Sequence, residues 1–179
     1  SGTRSAAMGG FTSVACMPNT NPTADNKTVI RYIIDKAGRE GVVHVFPIGA
    51  MTKGLKGEEL SEMGEMKEAG IVGVSDDGCC VENASVMKKV MLYAKMFGLP
   101  VICHCEDSKL AEEGVMNEGE LSTRMGLRGK SKAAEEIMIA RDIILSQRFD
   151  VPVHICHVST ALGVEIIRKA KRNGVKVTA

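Results

Sequence analysis

Short apolar runs recur along this chain about every thirty residues, and each is followed by a stretch with helical periodicity. The runs are GGFTSVACMPN, VVHVFPIGAM, GIVGVS, LPVICH, VPVHICHVS and the terminal VKVTA. They are rich in β-branched residues and bounded by Gly or Pro, as buried strands are. Strands joined through helices run parallel, because a crossover helix returns the chain to the same end of the sheet. Their C-terminal ends then share one side, the side on which βα architectures bind ligands. A doubly wound sheet and a (β/α)8 TIM barrel both fit this alternation. No G-x-G-x-x-G follows any strand, so the barrel is the expectation.

The helices can be placed between the runs. Pro22-Thr23-Ala24-Asp25 opens one with Val29, Ile30, Ile33, Ile34 and Ala37 on one face, stopped by Gly41. Glu58–Ala69 is expected to be helical with Leu60 and Met63 inward. Asn83 caps a helix whose stripe is Val86, Val90, Met91, Ala94 and Phe97, ended by Gly98. The charged, Gly-rich segment Cys105–Lys130 reads as a long loop, and loops of that length are more often functional than filler. Beyond Ser131 a helix is expected to run through Ile137, Ala140, Ile144 and Leu145. The last helix ends at Asn173-Gly174, a left-handed cap. A (β/α)8 barrel needs about 250 residues. The 179 residues, opening on the helix-like SGTRSAAM and ending inside a strand, are expected to form one partial domain over 1–179. That domain would hold about strands 2 to 7 of the barrel, without the first and last.

Three polar residues sit just past apolar runs: Asp77 in IVGVSDDG, His104 in LPVICHCED and His157 in VPVHICHVST. Each alone has a plain structural explanation, Asp77 as a turn former beside Gly78 and a histidine as a hydrogen-bonded strand end. Together on one rim, neutral imidazoles and a carboxylate suit zinc, and a carboxylate can bridge two metal ions. Two metals about 3.5–4 Å apart can activate a hydroxide at neutral pH. His154, three residues before His157, is expected on the opposite face, and His44 lies mid-strand; both read as core or helix-packing residues. Asn19, in the loop Met17–Pro22 leaving the first strand, offers an acceptor and two donors to a polar substrate.

Composition excludes several classes. Net charge is +1, from 23 basic against 22 acidic residues, so nothing points to nucleic acid or a membrane surface. The basic tract Lys169–Arg172 suits a solvated helix end. No apolar stretch approaches the roughly 20 residues that span a bilayer, and no signal peptide is evident at Ser1, so a cytoplasmic location is expected. Strand alternation points Cys103 and Cys105 away from the face His104 uses, and Cys156 away from that of His157. Neither a disulfide framework nor a Cys-rich zinc site is expected.

The motifs GGFTSVACMPNTNP, PIGAMTKGLKGEEL, GVSDDG, HCED, MNEG, GLRG, IARDI and HICHVSTALGVEIIRKAK occur in one order and spacing. In this the chain resembles the class I bacterial dihydroorotases of the amidohydrolase superfamily, over essentially its whole length. The resemblance implies zinc-dependent, reversible cyclisation of N-carbamoyl-L-aspartate to L-dihydroorotate in pyrimidine synthesis. It implies that Asp77 bridges two zinc ions, that His104 and His157 ligate the second, and that Asn19 binds the substrate carboxylate. It also implies a homodimer, in some cases assembled with aspartate transcarbamoylase. The family's His-x-His-x-Arg motif and its catalytic Asp, on the first and last barrel strands, have no counterpart in these 179 residues. The segment alone is therefore expected to be inactive and poorly soluble. Lys130 and Lys132 depart from a more apolar, Pro-containing stretch in the family.

Two other readings stand beside this one. A hydantoinase-type cyclic amidase would bridge its metals with a carboxylated lysine, but the third run ends in Ser75-Asp76-Asp77 and the nearest lysine is Lys67, in the preceding helix. A non-catalytic dihydroorotase-like subunit scaffolding aspartate transcarbamoylase would be expected to lose metal ligands, and three are retained here.

Overall fold

The computed structural model describes residues 2–179, which form two compact units, 2–101 and 102–179. The first contains α1 (Gly2–Met8), β1 (Ser13–Cys16), α2 (Lys27–Glu40), β2 (His44–Pro47), β3 (Gly49–Ala50), α3 (Met63–Ala69), β4 (Val74–Ser75) and α4 (Ala84–Met96). Ser1, which begins the expected helix-like opening, lies outside the described residues. The next strand, β5 (Val101–Cys103), begins at the unit boundary.

The run VVHVFPIGAM forms an extended segment that changes partners. β2 pairs parallel with β1, Ser13 opposite His44 and Cys16 opposite Pro47. The Ile48 N–H still donates to the Cys16 carbonyl at 3.0 Å, but the next, Gly49, donates to Gly73 at 3.0 Å on the other side. Thereafter β3 pairs parallel with β4, Gly49 opposite Val74. Proline has no N–H to give to a ladder, so Pro47 is a natural place for β2 to end. Close packing marks the switch. A Cβ on Gly49 would lie 2.9 Å from Met66 Sδ, so α3 sits directly on β3.

Asn26 caps α2, its side chain accepting from the Thr28 and Val29 N–H groups, and Asn83 caps α4 through Ser85 and Val86. Such caps satisfy donors that have no partner inside the helix. The core of this unit is Ile30, Ile48, Met51, Met63, Met66, Ile71, Met87, Met91 and Leu99, all essentially inaccessible. Two expectations are corrected. Only Met63–Ala69 of the stretch from Glu58 is helical. Leu60 makes an antiparallel bridge to Thr52, and Ser61 N–H donates to Met51 at 3.0 Å, so strand-end bonding overrides local helix propensity. His44 is not a core residue; it opens β2 and is exposed.

The second unit continues from β5 with α5 (Ser108–Ala111), β6 (Met116–Asn117), α6 (Glu120–Met125), β7 (Gly129–Lys130), α7 (Lys132–Phe149), β8 (Val153–Ile155), α8 (Ala161–Arg172) and β9 (Val177–Thr178). Cys156 N–H donates to the Cys103 carbonyl at 3.0 Å, and β8 pairs parallel with β9, Val153 opposite Val177. The expected long loop carries structure of its own: two short helices and a parallel ladder between β6 and β7. Lys130 ends that ladder and pairs with Glu106 at 2.7 Å.

The expected helix beyond Ser131 is α7, and its largest apolar residues do not all lie on its buried face. Ala134, Met138, Ile139, Asp142, Ile143 and Ser146 are buried, whereas Ile137 and Ile144 are 52% and 63% exposed. Polar residues decide the face. Ser146 Oγ donates to the Val151 carbonyl at 2.7 Å, and Asp142 lies 3.5 Å from the Cys105 thiol. Neither unit closes a barrel. No helix among the described residues is long and apolar enough to cross a membrane.

Candidate active site

In the first unit Asp77 lies two residues past the end of β4, half-buried, and is followed by Gly78 at φ +83. A β-carbon on Gly78 would stand 3.8 Å from Asn19 Nδ2, so the loop after β1 and the turn after β4 share one rim. The neighbouring Asp76 is buried. Its carboxylate accepts from the N–H groups of Met51 (2.7 Å) and Thr52 (3.1 Å) and from the Thr52 hydroxyl. Burial raises its pKa from the ordinary Asp range, an effect these bonds partly counter. Asp76 thus ties the end of β4 to the end of β3. The sequence reading did not single it out; an Asp pair at a strand end is the signal that could have.

In the second unit accessibility alternates along Val101–Cys105, with His104 half-buried and Cys103 and Cys105 buried on either side. This is the expected parity. His157 arrives differently. It lies past the end of β8 at φ +37, a backbone region that L residues seldom occupy. That turn brings its Nε2 to 2.9 Å from His104 Nδ1, with the rings at 74°. His154, expected in the core or against a helix, is half-buried, and its Nδ1 lies 2.8 Å from Thr178 Oγ1 on β9. Strand alternation alone does not reach His157, because the residue has left the strand.

Two imidazole nitrogens this close together suit a shared metal ion. Nitrogens on one tetrahedral zinc at about 2.0–2.1 Å stand about 3.3 Å apart, within a few tenths of the separation seen here. The histidine pair fits as two donors.

Behind His104 lies a second buried carboxylate. Arg141 Nε and Nη2 donate to Asp142 Oδ1 at 2.9 and 2.7 Å. Burial raises the Asp142 pKa above the ordinary 3.8, with Arg141 opposing. Cys103 is pushed well up, first by its bond to Cys105 and then by burial, so its thiol is held protonated and is no nucleophile. Because the folded chain holds the Asp142 proton more tightly than the unfolded one, its stabilising contribution is complete below about pH 4 and is lost as pH rises through the folded value. Asp142→Asn should therefore flatten the fall of unfolding free energy with pH in that window. Denaturant titrations of the two proteins at a series of pH values test this; parallel curves would sink it.

A model of the dihydro-orotase-like family matches residues 1–162. The chain belongs to that family. The dihydroorotase of Acetivibrio thermocellus is 64% identical over 177 residues, covering 99% of this chain and 42% of the relative. That of Ruminiclostridium cellulolyticum is 62% identical over 179 residues, covering 100% and 42%. This dihydro-orotase-like chain thus spans about two fifths of the length of the curated relatives it matches. Among solved structures, the L-hydantoinase (dihydropyrimidinase) from Arthrobacter aurescens superposes with a TM-score of 0.77 at 22% identity, over 98% of this chain and 40% of that one. A D-hydantoinase gives 0.74 at 17%, with the same coverage. At such identities the likeness shows the fold alone, an α/β fold with a parallel sheet.

Proposed function

We propose that the intact protein carrying this sequence is a dihydroorotase that cyclises N-carbamoyl-L-aspartate to L-dihydroorotate, reversibly and with zinc. The identity of 64% across nearly the whole chain to a protein of that name carries the reading. In it the 179 residues form one partial (β/α)8 barrel, about strands 2 to 7. Asp77, His104 and His157 would hold the metal, through one carboxylate and two imidazoles, and Asp77 would be the carboxylate that two zinc ions share. Zinc there supplies Lewis-acid polarisation of the amide carbonyl and a lowered pKa for water. The chain's own work is to present two imidazoles with their ring nitrogens close together, and a carboxylate that can hold two cations. Asn19 orients the substrate by donating to its carboxylate.

Hydantoinase chemistry is the rival within the fold. Lys67, the nearest candidate for a carboxylated bridge, lies exposed in α3 rather than at the end of β4. Purified intact protein should form dihydroorotate from carbamoyl-aspartate and leave hydantoin untouched; the reverse preference would overturn the assignment. A cytoplasmic homodimer, in some cases assembled with aspartate transcarbamoylase, completes the reading; gel filtration of the intact protein tests the dimer, and a zinc titration separates the scaffold alternative, which should bind no metal.

Asn19→Ala should act mainly on KM. Losing hydrogen bonds to a charged group costs about 1.5–3 kcal/mol, roughly a 10- to 150-fold rise in KM at little change in kcat. Steady-state kinetics separate the two parameters, and an unchanged KM would remove Asn19 from the substrate site.

A further inference from the structure

His157 holds a rarely adopted backbone conformation, and the residues just beyond it are gripped from α7. Glu135, in the first turn of α7, accepts from four donors: the N–H and hydroxyl of both Ser159 and Thr160. Ser159 N–H lies 3.0 Å from both carboxylate oxygens and its hydroxyl 2.6 Å from Oε2. Thr160 N–H and hydroxyl lie 3.0 and 2.8 Å from Oε1. A carboxylate offers about four lone-pair sites, so the acceptor is saturated.

The neighbours fix the direction of these bonds. Thr160 caps α8, its Oγ1 accepting from Gly163 N–H at 3.1 Å, which leaves the hydroxyl proton for Glu135. Asn117 Nδ2 approaches Ser159 Oγ at 3.5 Å and leaves the Ser159 proton for the same carboxylate. The surroundings leave little room to shift. A Cβ on Gly163 would sit 2.8 Å from Thr160 Oγ1 and 3.1 Å from Glu135 Oε1.

We propose that Glu135 is a positioning residue for His157: by clamping Ser159 and Thr160 it holds the left-handed turn that brings the His157 ring to His104, and so sets the metal affinity of the pair. Without the clamp the backbone at His157 is free to return to an ordinary conformation, and the two nitrogens separate. A cap for α8 alone would be served by Thr160 and would not need the bonds to Ser159. This inference rests on the proposed metal role of the histidines, and its test separates the two.

Metal-stripped intact protein is titrated with zinc, and the cobalt(II) absorption spectrum is recorded, for the wild type and for Glu135→Ala, Glu135→Gln and Glu136→Ala. Loss of such supporting bonds typically weakens metal binding 10- to 100-fold. That loss, with a changed cobalt spectrum, is expected for Glu135→Ala at unchanged circular dichroism. Glu135→Gln keeps one acceptor oxygen and should recover part of the affinity, and Glu136→Ala should behave as wild type. No metal bound by the wild type would overturn the metal reading itself. Binding by the wild type with equal affinity and spectrum in Glu135→Ala, or an equal loss in Glu136→Ala, would overturn the clamp alone. Should Glu135→Ala not fold, Glu135→Gln and Ser159→Ala decide: a severalfold loss in both supports the clamp, and wild-type affinity in both refutes it.

Discussion

Asp77→Ala in the intact protein is expected to lose bound zinc and to lower dihydroorotate formation by at least about a thousandfold, some 4 kcal/mol of barrier. Two cations held close together repel, and a carboxylate between them is the charge that offsets this repulsion. On the proposed reading the two imidazoles ligate as neutral groups and cannot replace it. Asp77 also lies next to the turn glycine beside Asn19, so its loss should disturb metal and substrate together. Asp77→Asn is the sharper comparison, since it preserves shape and removes only the charge. Metal content by atomic absorption alongside turnover gives the answer. Full zinc content with normal turnover in the Ala variant would remove Asp77 from the site.

What could be read beforehand was whatever depends on periodicity. The alternation along Val101–Cys105 is a property of any strand with one covered face, and it correctly set His104 apart from its flanking cysteines. The caps at Asn83 and Asn173-Gly174 were legible because their chemistry is local. Features decided by distant partners were not. The change of ladder partner at Ile48 depends on where β4 lies. The face of α7 is set by Asp142 and Ser146, which bond to Cys105 and Val151, whereas a count of apolar residues favours the exposed Ile137 and Ile144. His157 was chosen for its place after an apolar run, but its orientation comes from a positive φ with no signal in residue type. Glu135 carries no motif at all, and Asp76 only its place in an Asp pair at a strand end. Each is recognisable only once its backbone donors are known.

Asp76→Ala should be among the most destabilising substitutions in the first unit, at about 3 kcal/mol. Removing the carboxylate leaves the Met51 and Thr52 N–H groups and the Thr52 hydroxyl without their acceptor in a site closed to water. Each stranded donor costs about 1–3 kcal/mol. The sum is reduced because burying the carboxylate was itself unfavourable, as its raised pKa records. Asp76→Asn keeps one oxygen for the two N–H groups. Its amide then faces the Thr52 hydroxyl, which already accepts from Gly57 N–H at 2.9 Å but has a second lone pair to offer. The Asn variant should therefore lose only about half as much. Calorimetry on the intact protein would register the ordering wild type, Asn, Ala. Equal melting temperatures for all three would mean that these bonds only match what they cost to bury, and that the junction of β3 and β4 is held by its apolar neighbours instead.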